Sequence, residues 1–152
     1  MTKILFVCLG NICRSTMAEC VMKELVRRAG REGEFEIDTA GTSTYEVGNP
    51  MHHGTRSKLR AVGIPTGNHI ARQMTKRDYK HFDLIIGMDQ SNMQNMLRMT
   101  GGDPQGKLHL LLDYTDRPGA IADPWYTGDF EATYRDVLEG CEGLLKQLGG
   151  EE

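Results

Sequence analysis

The chain has 152 residues, of which 39% are hydrophobic and 26% charged, and its formal net charge is -3. This composition fits a globular domain rather than a disordered or fibrous chain, and the length suffices for one core without disulfide or metal staples. Lys and Arg are scattered among Asp and Glu, which gives no support to an extended nucleic-acid or anionic-membrane surface.

The longest apolar run, Ile4 to Leu9, is far too short to span a bilayer. Asn11 and Arg14 interrupt it, and no small-residue cleavage pattern follows, so a signal peptide is not expected. A cytoplasmic location is expected, with secretion by a non-standard route left open. Cys8, Cys13, Cys20 and Cys141 are then expected as thiols. Their spacing matches no zinc pattern, and neither a metal nor another cofactor is expected.

Ile4 to Cys8 is continuously apolar, the mark of a strand buried on both faces. Gly10 and Asn11 signal a turn, and a helix is expected from Ser15 or Thr16, because Thr16 to Glu19 has capping-box form. Met17, Val21 and Leu25, beside Ala18, Met22 and Val26, form its core-facing stripes, and Gly30 and Gly33 end it. Phe35 to Ala40 reads as a second strand. A loop rich in Gly, Ser, Thr and Asn runs from Gly41 to Pro50, and a polar helix from His53 to Val62. Leu84 to Met88 is a third strand, after which Asp89 caps a Met-rich helix reaching Met99. Lys107 to Leu112 reads as a fourth strand, and Phe130 to Leu148 as the last helix.

Strands alternating with helices imply parallel crossover units in one domain, 1–152, of the three-layer α/β class. In such sheets ligands bind beyond the carboxyl ends of the strands, where the strand order reverses. Cys8 ends the first strand, and Cys8 to Ser15 fits the form C-x5-R-S. A loop between a strand and a helix can turn its N–H groups inward as an anion nest, reinforced by the helix dipole. Arg14 adds a planar fork for two phosphate oxygens. Such a setting favours the thiolate form of a cysteine, which is the nucleophile. The bland alternative is a core cysteine and a surface arginine, and the buried strand before, the capped helix expected after and the glycine within the loop weigh against it.

Phe6 to Ser15 closely resembles the signature of the low-molecular-weight protein tyrosine phosphatases. Tyr45 to Pro50, His69 to Gln73, Met88 to Asn92 and Asp123 to Tyr126 resemble further blocks of that family, in the same order. The resemblance implies a central four-stranded parallel sheet and a phosphate-binding loop after the first strand. It also implies hydrolysis of phosphotyrosine through a cysteinyl-phosphate on Cys8, with Arg14 and Asp123 as the other catalytic residues. Asp123 takes the general-acid role only through the family, since Asp113, Asp116 and Asp129 compete for it on residue type alone. Leu9, Gly10, Asn11, Ile12, Cys13 and Ser15 would hold the phosphate, with Asn11 in a left-handed turn. Tyr45, Trp125 and Tyr126 would line the mouth of a slot suited to a phenyl ring.

Further roles follow from the resemblance alone. His69 and Thr39 are expected in the hydrogen-bond network behind Asn11, Thr39 standing where relatives often carry serine. Thr16 and Trp125 stand where many relatives have proline and tyrosine. Cys13 could pair with Cys8 under oxidation, as in some relatives, or simply pack. His52, His53, His81 and His109 read as surface residues, and the methionines as core packing. Phosphotyrosine-containing proteins are the implied partners, a tyrosine kinase is left open, and a monomer is expected. Three rival functions remain. Ile12, where arginine phosphatases usually have threonine, speaks against phosphoarginine. An arsenate reductase usually needs resolving cysteines, and none lies between Cys20 and Cys141. A non-catalytic phosphate-binding module would not need both Cys8 and Asp123.

Overall fold

The computed structural model describes residues 1–149. Four parallel strands form one sheet: β1 (Thr2–Cys8), β2 (Phe35–Gly41), β3 (Leu84–Gly87) and β4 (Leu108–Leu110), in the order β2-β1-β3-β4. The helices are α1 (Arg14–Arg28), α2 (His53–Ala61), α3 (Lys76–His81), α4 (Gln90–Thr100), α5 (Pro124–Thr127) and α6 (Phe130–Gln147). The two-sided burial expected of the first strand is present. Ile4, Phe6 and Cys8 enter a core shared with Met17, Val21 and Met22 of α1 and Val137, Cys141 and Leu144 of α6. Leu5 and Val7 point the other way, to Ile85, Met96 of α4 and Phe82. Alternate residues of one strand thus hold both helical layers. Full burial of a side chain such as Phe6 contributes on the order of 2–3 kcal/mol.

Several boundaries differ from expectation. α1 begins at Arg14, its N-cap Cys13 makes no side-chain capping bond, and the Thr16 hydroxyl donates instead to the Cys13 carbonyl at 3.0 Å. No capping box forms there, so the first N–H groups of α1 stay uncapped by side chains. The fourth strand stops at Leu110, because Asp113 Oδ2 accepts the Leu110 N–H at 3.1 Å and draws Leu111–Tyr114 into a 3-10 turn. α3 and α5 have no counterpart in the sequence reading. α3 is a six-residue polar helix whose capping Asp78 is gripped by Arg72 with two bonds of 3.0 Å. Such a helix has no apolar period to read.

β2 and β3 lie on either side of β1, so the strand order reverses at β1. The loop that leaves β1 at Cys8 therefore opens where a parallel sheet makes room for a ligand.

Candidate active site

Between Cys8 and α1 the chain is tied from behind by its carbonyl oxygens. Cys8 O accepts from Thr42 N (2.9 Å), Leu9 O from Ser43 N and Oγ (both 3.0 Å), and Ile12 O from His52 N (2.9 Å). Cys13 O accepts from Met17 N (3.1 Å), and Asn11 O meets His69 Nε2 at 2.5 Å. With the carbonyls held outward, the N–H groups of the same peptides face the concave side. None of those from Leu9 to Cys13 donates to a protein acceptor among the described residues. They are free for an anion, in line with the first turn of α1. Asn11 supplies the bend with φ 62°, the one left-handed non-glycine residue among those described.

A second chain of bonds runs to the sulfur. Arg72 N–H donates to Asn11 Oδ1 (3.0 Å), which orients the amide so that Nδ2 donates to Ser15 Oγ (2.8 Å). Ser15 then has its one proton left for Cys8 Sγ, 3.1 Å away. Burial, the first cause, and the charge of Cys8 push the Cys13 thiol up to about 12. Cys13 is thus protonated at neutral pH, and all four cysteines are unbonded and buried. Burial, opposed by the bond to Asn11, lowers the His69 pKa, so the ring stays neutral and donates from Nε2. Thr39 is buried, but its hydroxyl joins no bond to Asn11, Ser15 or His69 among the described residues. It pairs with Phe6, two positions before the strand reaches the loop, and Arg72 N–H occupies the place expected for it.

Arg14 is only 2% exposed. Its Nη1 donates to Asp89 Oδ2 at 2.7 Å and to Ile121 O at 2.9 Å, and its Nη2 to Asp123 Oδ2 at 3.4 Å. Burial opposes the charge, but Cys8 and the two carboxylates raise its pKa above the usual arginine value. Arg14 Nε is buried without a hydrogen-bond partner, a donor left over among the described residues. Asp123 has the extended backbone favoured before proline (φ -84°, ψ 113°), and its Oδ1 accepts from Trp125 N at 3.1 Å.

Cys8, Leu9, Gly10, Ile12, Cys13, Tyr45, Glu46, Asp123, Trp125 and Tyr126 line one cavity of about 280 Å³. A larger hollow of about 590 Å³ beside α1 is lined in part by Glu19, Lys23, Glu24 and Arg27. These pair with one another (Lys23–Glu19 2.7 Å, Arg27–Glu24 2.5 Å) and converge on nothing. Among the described residues no group of three His, Cys, Asp or Glu could hold a metal ion.

A model of the family described as low molecular weight phosphotyrosine protein phosphatase matches residues 3–152. The chain belongs to this phosphatase family. The low molecular weight protein-tyrosine-phosphatase YfkJ of Bacillus subtilis is 40% identical over 100% of this chain and 99% of its own length. The crystal structure of YfkJ superposes with a TM-score of 0.95, covering 98% of this chain and 95% of that one. The low molecular weight phosphotyrosine protein phosphatase of Gallus gallus is 42% identical over 95% of this chain and 94% of its own. DARP, a drosophila arginine phosphatase, is 31% identical with a TM-score of 0.89 over 99% of this chain and 100% of its own.

Sequence reasoning missed four contributors to this phosphatase site. Asp89 was read only as a helix cap. It does cap α4 through Oδ1 (Asn92 N, 2.8 Å), while its Oδ2 holds Arg14. Arg72 and Gly41 stand behind the loop, and a Cβ on Gly41 would lie 2.8 Å from Leu9 O. His52, read as a surface residue, is half-buried beneath the rim. The block from Met88 to Asn92 carried a signal for Asp89. The block from His69 to Gln73 likewise held Arg72, while nothing local marked Gly41 or His52.

Proposed function

We propose that this low-molecular-weight protein-tyrosine phosphatase works through a cysteinyl-phosphate on Cys8, with Arg14 binding the phosphoryl group and Asp123 as general acid and base. One observation carries the reading: Cys8, the loop residues Leu9, Gly10, Ile12 and Cys13 with their unpaired amides, and Asp123 line one aromatic-walled cavity, and the buried Arg14 is bonded to that Asp123 and keeps a partnerless Nε. The Cys8 thiolate attacks phosphorus, the bond to the phenolic oxygen breaks, and Asp123 delivers its proton to that oxygen. Charge on the equatorial oxygens meets the loop amides and the Arg14 fork in positions that need no rearrangement. Asp123, now a carboxylate, takes a proton from water. The resulting hydroxyl attacks phosphorus, the S–P bond breaks, and phosphate leaves. Ser15 donates its hydroxyl hydrogen to the departing sulfur, which eases the second step.

Tyr45, Trp125 and Tyr126 favour a flat aromatic ester, and the depth of the cradle favours phosphotyrosine over the shorter phosphoserine. The substrates of this reading are phosphotyrosine-containing proteins, and the protein acts as a cytoplasmic monomer. No helix among the described residues is long and apolar enough to cross a membrane. The likeness to DARP makes phosphoarginine the competing substrate. Ile12, which lines the cavity, gives an apolar wall better matched to a phenyl ring than to a guanidinium.

Cys8→Ser is expected to abolish hydrolysis of p-nitrophenyl phosphate and of a phosphotyrosine peptide while inorganic phosphate still binds. Full activity in that variant would end the mechanism. Asp123→Ala is expected to slow phenyl phosphate more than p-nitrophenyl phosphate, whose leaving group needs less protonation. Faster turnover of phosphoarginine than of phosphotyrosine would reassign the substrate.

A further inference from the structure

His52 joins the phosphate loop to the aromatic rim. Its backbone N–H donates to Ile12 O at 2.9 Å, and its ring Nδ1 accepts the Gly54 N–H at 3.0 Å as the N-cap of α2. An accepting Nδ1 carries no proton, so the cap exists only for the neutral ring, protonated on Nε2. The ring stacks with His53 (centroids 4.4 Å apart, planes at 25°) and with Phe130 (5.3 Å, 23°). Phe130 lies over the Gly54 backbone, where a Cβ would come within 2.3 Å of its ring, and packs against Ile12, Cys13 and Ala71. Trp125 meets the His52 ring edge-on at 5.6 Å and 78°. Trp125 is 56% exposed, and among the described residues His52 is the one ring in aromatic contact with the indole.

We propose that His52 is a positioning residue for substrate recognition: the neutral ring holds Trp125 as a wall of the cavity, and protonation releases it. Affinity for the aryl group then falls at acid pH, while affinity for phosphate does not. The inference rests on the phosphatase reading above. Protonated Nδ1 would set two donors, its own and the Gly54 N–H, against each other, so the ring turns away and the indole loses its support. The charged and titratable groups facing the ring are His53 on α2, Glu46 on the loop before it and Asp123 ahead of α5. α6 offers the uncharged Phe130 and then Glu131, already paired with Lys58. Burial first, then His53, holds the His52 pKa below the ordinary 6.5, against the pull of the two carboxylates.

Trp125 is the single tryptophan of the chain, so emission excited selectively in the indole, where tyrosine does not absorb, reports on this wall alone. Emission of the wild-type protein is expected to change in one step below pH 6.5. The step is absent in His52→Asn, which keeps a capping acceptor but has no ring to titrate, and it moves to higher pH in His53→Asn. For p-nitrophenyl phosphate at about pH 8, His52→Asn is expected to raise KM about three- to tenfold, with kcat and inhibition by inorganic phosphate within about twofold. Because the ester also titrates in the acid range, the readout is the KM ratio of variant to wild type at each pH, which falls toward one as the pH drops below 6.5 and the ring takes up its proton. An emission step that survives in His52→Asn overturns the proposal, as does a KM ratio that is constant with pH. A parallel rise in KM and in the phosphate inhibition constant also overturns it, by showing damage to the loop. Absence of hydrolysis in the wild type would sink the phosphatase reading instead, while the emission arm still tests His52.

Discussion

The floor and the rim of the cavity are built differently. From Cys8 to Ser15 all residues except Leu9 and Gly10 are buried, and the loop carbonyls are bound outward to several separate segments. At the rim Tyr45 is 82% and Tyr126 76% exposed, and Trp125 rests on a single aromatic contact. A floor of this kind presents fixed dipoles to developing charge without rearrangement, which is where rate acceleration comes from. A rim of exposed rings contributes contact area and selectivity and can move. Substitutions in the floor should therefore act on kcat, and substitutions in the rim on KM.

The largest expected effect is that of Arg14→Lys. It keeps the charge but loses the fork, and kcat/KM for an aryl phosphate should fall about a thousandfold. A loss smaller than tenfold, measured by steady-state kinetics, would mean that charge alone suffices. Next comes Asp89→Asn. Asparagine still caps α4, so the thermal midpoint should barely move, but Arg14 loses its closest anion. A fall in kcat of about ten- to a hundredfold is expected, and an unchanged kcat would remove Asp89 from the floor. Trp125→Ala should raise KM for p-nitrophenyl phosphate about three- to tenfold and leave the phosphate inhibition constant alone. A fall in kcat larger than that in affinity would break the division between floor and rim.

The smallest effect is on stability. His69 behind the floor and His52 under the rim both have folded-state pKa values lowered first by burial. Below the unfolded value of 6.5 the unfolded chain takes up protons that these folded rings refuse. Their contribution is therefore complete above 6.5 and is lost as the pH falls toward and through the lowered values. Calorimetric scans should show the melting temperature dropping across that window. His69→Asn should flatten the drop, and an identical profile in that variant would show that Asn11 is held without it.

Labelling also separates the cysteines. Cys13 and Cys20 are each pushed up to about 12, mainly by burial, and burial raises Cys141 still further. Near neutral pH they are thiols, and limited iodoacetate should modify Cys8 first, as read by peptide mass mapping. Equal labelling of Cys13 would break the assignment of the nucleophile to Cys8.

Much of this was legible in the sequence because it is local. A two-sided apolar run identifies β1, so the residue at its end stands at the sheet's carboxyl edge, and C-x5-R-S places an arginine at the start of the following helix. Asp89 as a helix cap and the extended Asp123 before Pro124 are likewise set by near neighbours. The rest depends on contacts far apart in the chain. Arg14 meets Asp89 across 75 positions and Asp123 across 109, and Arg72 reaches Asn11 across 61. His52 differs from an ordinary surface histidine only because α6 brings Phe130, and the acid loop Trp125, against its ring. By itself the sequence determined the candidate nucleophile, the loop motif of the cradle and the order of the four strands and four longer helices, since propensity and period act over a few residues. Only the tertiary structure decided which carboxylate grips the arginine and what supports the wall, since those partners are chosen by how the layers pack.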